Sequence, residues 1–209
     1  MSMTVDELMA VQPVIPVLTV EKPEDAAPLA KALAGAGLRV LEVTLRTASA
    51  VECIRRMAEV EGAIVGAGTV LSAKDVEAAV AAGAKFIVTP GLTESTVSAA
   101  RKANVPILPG VATASEIMMG LEMGLDRFKF FPAEQAGGRA MLDAFRGPFG
   151  KVKFCPTGGI TLDLARDYLS RPNVGCVGGG WLAPGKLVET HAWEEIGQMA
   201  RLAAKLVRG

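Results

Sequence analysis

Asp126-Arg127-Phe128-Lys129-Phe130-Phe131-Pro132-Ala133-Glu134 reads as a short strand stopped by a proline. Strand alternation places Arg127, Lys129 and Phe131 on one face and Phe128 and Phe130 on the other. A lysine between two phenylalanines is expected to be buried. Burial removes water from its ammonium and favours the neutral amine, a nucleophile toward carbonyl carbon. The competing reading is an edge-strand lysine whose stem lies on the protein while its charge reaches solvent. The surrounding chain decides between them.

Upstream, Thr4-Val5-Asp6-Glu7 has the spacing of a capping box and opens a short helix through about Met9. Strands are expected at Val14–Val20, Leu38–Leu45, Ala63–Val70, Lys85–Thr89, Val105–Leu108, Asp126–Phe131, Lys151–Cys155 and Val174–Val177. Helices are expected between them, at Glu24–Ala34, Val51–Val60, Ser72–Ala82, Thr93–Ala103, Thr113–Met123, within Arg139–Phe145 and at Thr161–Ser170. Pro28 would move the start of the first of these toward Ala27, because proline suits only an opening turn. His191–Val207 reads as a closing helix. The units recur about every 20 to 25 residues, as in an eight-fold α/β barrel. An open doubly wound sheet is the alternative. The barrel is preferred because nearly every strand ends in its own Gly/Pro-rich loop, and with no linker the 209 residues form one domain, 1–209.

Composition narrows the function. The charges balance, 22 of each sign, which gives no basic surface for nucleic acid. No apolar run has the length of a membrane span. The three cysteines lack metal-ligand spacing and, with no leader, point to reduced thiols and a cytoplasmic location. With a single histidine, His191, acid–base work falls to Glu, Asp, Lys or water. No metal and no cofactor is expected.

Candidate functional residues collect at the C-terminal ends of the strands. In Leu41-Glu42-Val43-Thr44-Leu45-Arg46 the apolar set faces the helices, and Glu42, Thr44 and Arg46 face inward. Glu42 and Arg46 could instead form a buried ion pair with no other role. Gly66-Ala67-Gly68-Thr69 allows close approach of backbone to a ligand and offers a hydroxyl, or is simply a tight turn. Thr89-Pro90-Gly91 and Leu108-Pro109-Gly110 repeat the pattern. Thr157-Gly158-Gly159 and Gly178-Gly179-Gly180 lie in the last two loops, where such barrels hold phosphate on backbone N–H groups. A desolvated lysine, a carboxylic acid, an arginine and a phosphate cradle suit an iminium formed with a phosphorylated 2-oxo acid. Glu42 would move protons and Arg46 would hold the carboxylate.

Four stretches carry a family resemblance. They are Leu41–Thr47, Val65–Val70, Phe128–Glu134 and Phe154–Ile160. The chain from about Val14 to Trp181 resembles the 2-keto-3-deoxy-6-phosphogluconate (KDPG) and 4-hydroxy-2-oxoglutarate (KHG) aldolases. The resemblance implies a metal-free, homotrimeric class I aldolase on a (β/α)8 TIM barrel, which splits the phosphorylated sugar acid into pyruvate and glyceraldehyde 3-phosphate in the Entner–Doudoroff pathway. By position it makes Lys129 the Schiff-base lysine and Glu42 the general acid/base. Arg46 and Thr69 become carboxylate contacts, Pro90 and Phe131 pocket walls, and Thr157, Gly158, Gly159 and Gly179 the phosphate end. Gly180 departs from the pattern, because many relatives have a serine there. This keeps 4-hydroxy-2-oxoglutarate and the 6-phosphogalactonate epimer open as substrates. A phosphosugar isomerase or epimerase is the rival from a different class, disfavoured by the scarcity of histidine.

Overall fold

The computed structural model describes residues 3–208. The chain opens with α1 (Val5–Val11), then alternates through β1 (Val14–Leu18), α2 (Pro23–Gly35), β2 (Val40–Thr44), α3 (Ala50–Ala58), β3 (Ile64–Gly68), α4 (Ala73–Ala81) and β4 (Ile87–Val88). It continues through α5 (Glu94–Lys102), β5 (Ile107–Leu108), β6 (Gly110–Val111), α6 (Ala114–Glu122), β7 (Arg127–Phe130), α7 (Gly138–Phe145), β8 (Lys153–Pro156), α8 (Leu162–Leu169) and β9 (Val177–Gly179). A 3₁₀ turn (Gly180–Leu182), α9 (Gly185–Glu189) and α10 (Trp193–Ala204) complete it.

Side-chain caps start the helices where the sequence places them. Thr4, Ser72, Thr93, Thr113 and Thr161 each accept from an amide in the first turn of the helix that follows. Two boundaries differ from expectation. Helix α2 begins at Pro23, not near Ala27, and keeps Pro28 inside it. The hydrogen bond that Pro28 cannot make would fall on the Glu24 carbonyl, still in the exposed first turn, where water can satisfy it. Helix α10 begins at Trp193 because His191 takes a left-handed φ of 55°, outside the helical region.

All strand pairings are parallel. One curled ladder runs β5-β4-β3-β2-β1-β9 and a second runs β6-β7-β8. The strand expected at Val105–Leu108 shortens to β5, and beyond Pro109 an unexpected second piece, β6, continues the chain into the other ladder. Single parallel bridges, Phe154 with Val174 and Thr157 with Gly178, lie between β8 and the segment of β9.

The alternation read from the sequence sorts the core into two parts. Leu41 and Val43 of β2 pack outward with Cys53, Ile54 and Met57 of α3. Phe128 and Phe130 of β7 also face outward, against Phe154, with ring centroids 6.5 and 6.4 Å away. Burying a ring of this size typically contributes about 1.5 to 3 kcal/mol. Inside the curl, Ile15, Val40, Phe86, Val88, Leu108, Cys155 and Cys176 form a second cluster, closed by Leu8 and Met9 of α1. Buried Gln12 fastens that plug. Its Nε2 donates to the carbonyls of Val14 and Val40 at 2.7 and 2.9 Å, and its Oε1 accepts from the Val40 amide at 2.8 Å. Arg127 of β7 adds a second tie, with Nη2 donating to Asp6 Oδ2 at 2.7 Å.

Candidate active site

Above this plug, β2 and β7 bring opposite charges together. Lys129 Nζ donates to Glu42 Oε1 at 3.1 Å. Both residues are buried, 5 % and 3 % exposed. Lys129 is therefore not a surface lysine, and Glu42 pairs with it rather than with Arg46. A charge this deep is tolerated only with a partner. Within a pair, a proton can pass from ammonium to carboxylate and leave a free amine. The Phe131 ring covers the ammonium, with its centroid 5.2 Å from Nζ. Phe131 itself is half-buried, and a cis peptide bond joins it to Pro132.

Arg46 lies two residues beyond the end of β2 and is exposed. Its Nε donates to Thr69 Oγ1 at 3.2 Å. Thr69 sits at the tip of β3 with φ 55°, a backbone region that β-branched residues rarely occupy. Such local strain persists where surrounding structure enforces it and clusters at functional sites. Thr44 is fully buried and hydrogen-bonds the Leu18 carbonyl, so it braces β2 against β1.

Pro90 reaches the lysine strand through glycine. Gly110 is in register with Lys129, and a Cβ on Gly110 would lie 2.2 Å from the Pro90 carbonyl oxygen. Thr157 is buried opposite Gly178, where a Cβ would fall 2.2 Å from Thr157 Oγ1. Gly158 and Gly159 hold φ of 105° and 74°, accessible to glycine. They pack on the Pro132–Gln135 loop, and the Glu134 amide donates to the Gly158 carbonyl at 3.2 Å. Gly179 pairs with Pro16 of β1. Gly180 opens the 3₁₀ turn and is exposed. The two glycine loops thus flank one end of the Lys129 site, and Arg46 and Thr69 lie at the tips of β2 and β3.

Lys153 takes no part. Its ammonium donates to the Pro172 carbonyl, on the side of the molecule occupied by α1. Two features were not legible as site elements in the sequence. Cys155 stands directly beside Lys129 in the β7–β8 register. The neighbouring Cys155 thiol and complete burial push the Cys176 thiol well up. The glycines of β3 do not open a path for ligand. The Cβ positions of Gly66 and Gly68 are filled by the Phe86 ring and by the Glu42 side chain.

The family model described as KDPG and KHG aldolase matches residues 5–199. This chain belongs to the KDPG and KHG aldolase family. It is 50% identical over 199 residues, 95% of this chain and 93% of the relative, to the 2-dehydro-3-deoxy-phosphogluconate aldolase of Dickeya dadantii (strain 3937). It is 49% identical to the KHG/KDPG aldolase of Escherichia coli (strain K12), over 96% of this chain and 94% of that one. Among solved structures it resembles the KDPG aldolase of Legionella pneumophila, captured with pyruvate at low pH as a covalent carbinolamine intermediate. The TM-score is 0.95 at 43% identity, covering 98% of this chain and 100% of that one. A carbinolamine is the adduct of an amine with a carbonyl, the chemistry that a buried amine beside a carboxylate can perform.

Proposed function

We propose that the protein is a class I aldolase that cleaves 2-dehydro-3-deoxy-6-phosphogluconate to pyruvate and glyceraldehyde 3-phosphate. The observation that carries this is the buried contact of Lys129 Nζ with Glu42 Oε1 at 3.1 Å, in a chain of this family. Lys129, once its proton has passed to Glu42, adds to the C2 carbonyl. Glu42 returns that proton to the carbinolamine hydroxyl, which leaves as water, and the iminium that forms accepts the electron pair of the C3–C4 bond as it breaks. Glu42, directly or through a water, takes the proton of the C4 hydroxyl as the aldehyde departs. The enamine gains a proton at C3, and hydrolysis returns pyruvate and the free lysine. Arg46, set by Thr69, holds the 1-carboxylate by charge-assisted hydrogen bonds. Pro90 and Phe131 wall the pyruvyl end. Backbone N–H groups around Thr157, Gly158, Gly159, Gly179 and Gly180 receive the phosphate.

A second substrate is favoured by one observation. Gly180 brings no hydroxyl to the phosphate end, so 4-hydroxy-2-oxoglutarate, which has no phosphate, loses less there. The name KHG/KDPG aldolase of the Escherichia coli relative fits a site that accepts both.

The same reading extends to architecture and setting. The Phe154–Val174 and Thr157–Gly178 bridges, with β5 and β6 as halves of one interrupted strand, support a closed (β/α)8 barrel forming one domain. Exposed Met118, Met119 and Leu121 on and beside one face of α6 support self-association, and the family resemblance implies that the assembly is a homotrimer. No helix among the described residues is long and apolar enough to cross a membrane. A cytoplasmic location fits the reduced Cys53, Cys155 and Cys176.

Borohydride reduction in the presence of pyruvate tests the chemistry. The wild-type protein should gain one stable pyruvyl adduct, mapped to Lys129, and Lys129→Ala should gain none and lose all cleavage activity while remaining folded. Undiminished trapping in Lys129→Ala would remove Lys129 from the mechanism.

A further inference from the structure

We propose that Gly68 is a positioning residue, whose missing side chain is the space that lets the Glu42 carboxylate reach Lys129. The inference rests on the reading of Glu42 as the proton shuttle for Lys129. Strands β2 and β3 pair in parallel, with Glu42 beside Gly66 and Thr44 beside Gly68. A Cβ on Gly68 would lie 2.2 Å from Glu42 Oε1, 2.7 Å from its Cδ and 2.6 Å from its Cγ. Oε1 is the oxygen that accepts from Lys129 Nζ. Side-chain carbon cannot share that volume, so the carboxylate stands beside the amine only because residue 68 has no Cβ.

Two contrasts separate this from ordinary strand packing. Gly68 has no positive φ, so an alanine there meets no backbone strain, and its effect would be purely one of volume. Gly66, two residues earlier on the same face, meets the rigid ring of Phe86 at 2.5 Å. Filling Gly66 pushes an aromatic side chain of the inner cluster. Filling Gly68 pushes the flexible end of one glutamate, which can rotate away while the strand stays in place. What is lost is the position of the carboxylate.

The test is a double-mutant cycle of wild type, Gly68→Ala, Glu42→Asp and the double variant, with Glu42→Gln alongside. Each is assayed for kcat and KM with the phosphorylated substrate and for the rate of borohydride trapping with pyruvate. A misplacement of about 1 Å costs on the order of 10²-fold, so Gly68→Ala should lower kcat and the trapping rate by about that factor, with KM changed less than about threefold. Glu42→Asp withdraws the carboxylate by one methylene and is slow by itself. In the double variant the carboxylate has already left its position beside Lys129, so Gly68→Ala should cost little further. Independent, multiplicative losses in the double variant would overturn the proposal, as would a Gly68→Ala enzyme within about threefold of wild-type kcat. If Gly68→Ala fails to fold and Glu42→Ala, which removes the Cγ, Cδ and Oε1 nearest the new Cβ, restores folding, the clash lies with Glu42 as proposed. If Glu42→Ala does not restore it, the glycine serves another part of the structure and the proposal falls. A Glu42→Gln enzyme with wild-type kcat removes both the shuttle and the role of Gly68. A slow Glu42→Gln beside a fast Gly68→Ala removes the role of Gly68 alone.

Discussion

Lys129 Nζ and Glu42 Oε1 meet at 3.1 Å across the interior of the curled sheet, although 87 residues separate them in the chain. A buried ion pair seldom adds net stability over a well-packed apolar pair. Its presence in so dry a place therefore argues for chemistry. Glu42→Gln keeps the shape and the acceptor oxygen but cannot take a proton. General acid–base catalysis typically contributes about 10²- to 10⁴-fold, and kcat of Glu42→Gln should fall within that range, with trapping also slowed. Steady-state cleavage rates check this. A fall of less than about tenfold would leave Glu42 with only a structural part.

Arg46 and Thr69 make a separate prediction about binding. Thr69→Val keeps the branched shape and removes the hydroxyl that accepts from Arg46 Nε at 3.2 Å. A hydrogen bond involving a charged group contributes about 1.5 to 3 kcal/mol, less at an exposed position, so the upper limit to expect is about a tenfold rise in KM. The change should appear with both phosphorylated and unphosphorylated 2-oxo acids, because both carry the 1-carboxylate. A matching fall in kcat with unchanged KM would place Thr69 in the chemical steps instead.

The parts of this site that could be read from the sequence are those encoded locally. Alternation along Arg127–Phe131 is enough to separate Lys129 from Phe128 and Phe130, because a strand turns successive side chains to opposite faces. Thr and Ser three residues before a first-turn amide announce the helix starts. Contacts between distant segments leave no such mark. That Glu42 pairs with Lys129 rather than nearby Arg46 depends on how β2 and β7 face each other. That Gly68 makes room for a carboxylate depends on the β2–β3 register. Pro109 is visible as a strand breaker, yet its result, one strand shared between two ladders, is a property of the whole sheet. Helix α9 has only five residues, too few to show a period.

The plug of α1 gives a pH-dependent prediction. Arg127 beside Asp6 holds the Asp6 carboxyl below its usual value, chiefly through their hydrogen bond. A carboxyl with a lowered folded-state pKa stabilises the fold above its ordinary value, near 3.9, and that contribution is lost as pH falls through the lower folded-state value. Asp6 is 63 % exposed, so solvent screening keeps the pair to at most about 1 kcal/mol. Asp6→Asn should therefore lower Tm slightly and by a constant amount between pH 5 and pH 7, and the difference from wild type should shrink below about pH 4. Thermal unfolding followed by circular dichroism across that range checks the sign. A difference that grows on acidification would contradict the pairing.

Gly180→Ser tests the choice between substrates. A Cβ there meets nothing nearer than the Val17 carbonyl oxygen at 4.0 Å, and the residue has no positive φ. Serine is therefore sterically allowed, and Gly180→Ser tests the hydroxyl without backbone strain. A hydrogen bond to a charged group is worth about 1.5 to 3 kcal/mol, and a bridging water would recover part of it. Gly180→Ser should raise kcat/KM for the phosphorylated substrate by about tenfold or less, the factor that 1.36 kcal/mol represents. It should leave 4-hydroxy-2-oxoglutarate nearly unchanged, because that molecule carries no phosphate for the added hydroxyl to meet. Assaying both substrates on both proteins separates binding at the distal end from chemistry at Lys129. If the wild-type protein already prefers the unphosphorylated dicarboxylate, the loops of Gly158–Gly159 and Gly178–Gly180 are not its working phosphate site. The same Lys129 chemistry would then serve a hydroxy-oxoglutarate aldolase.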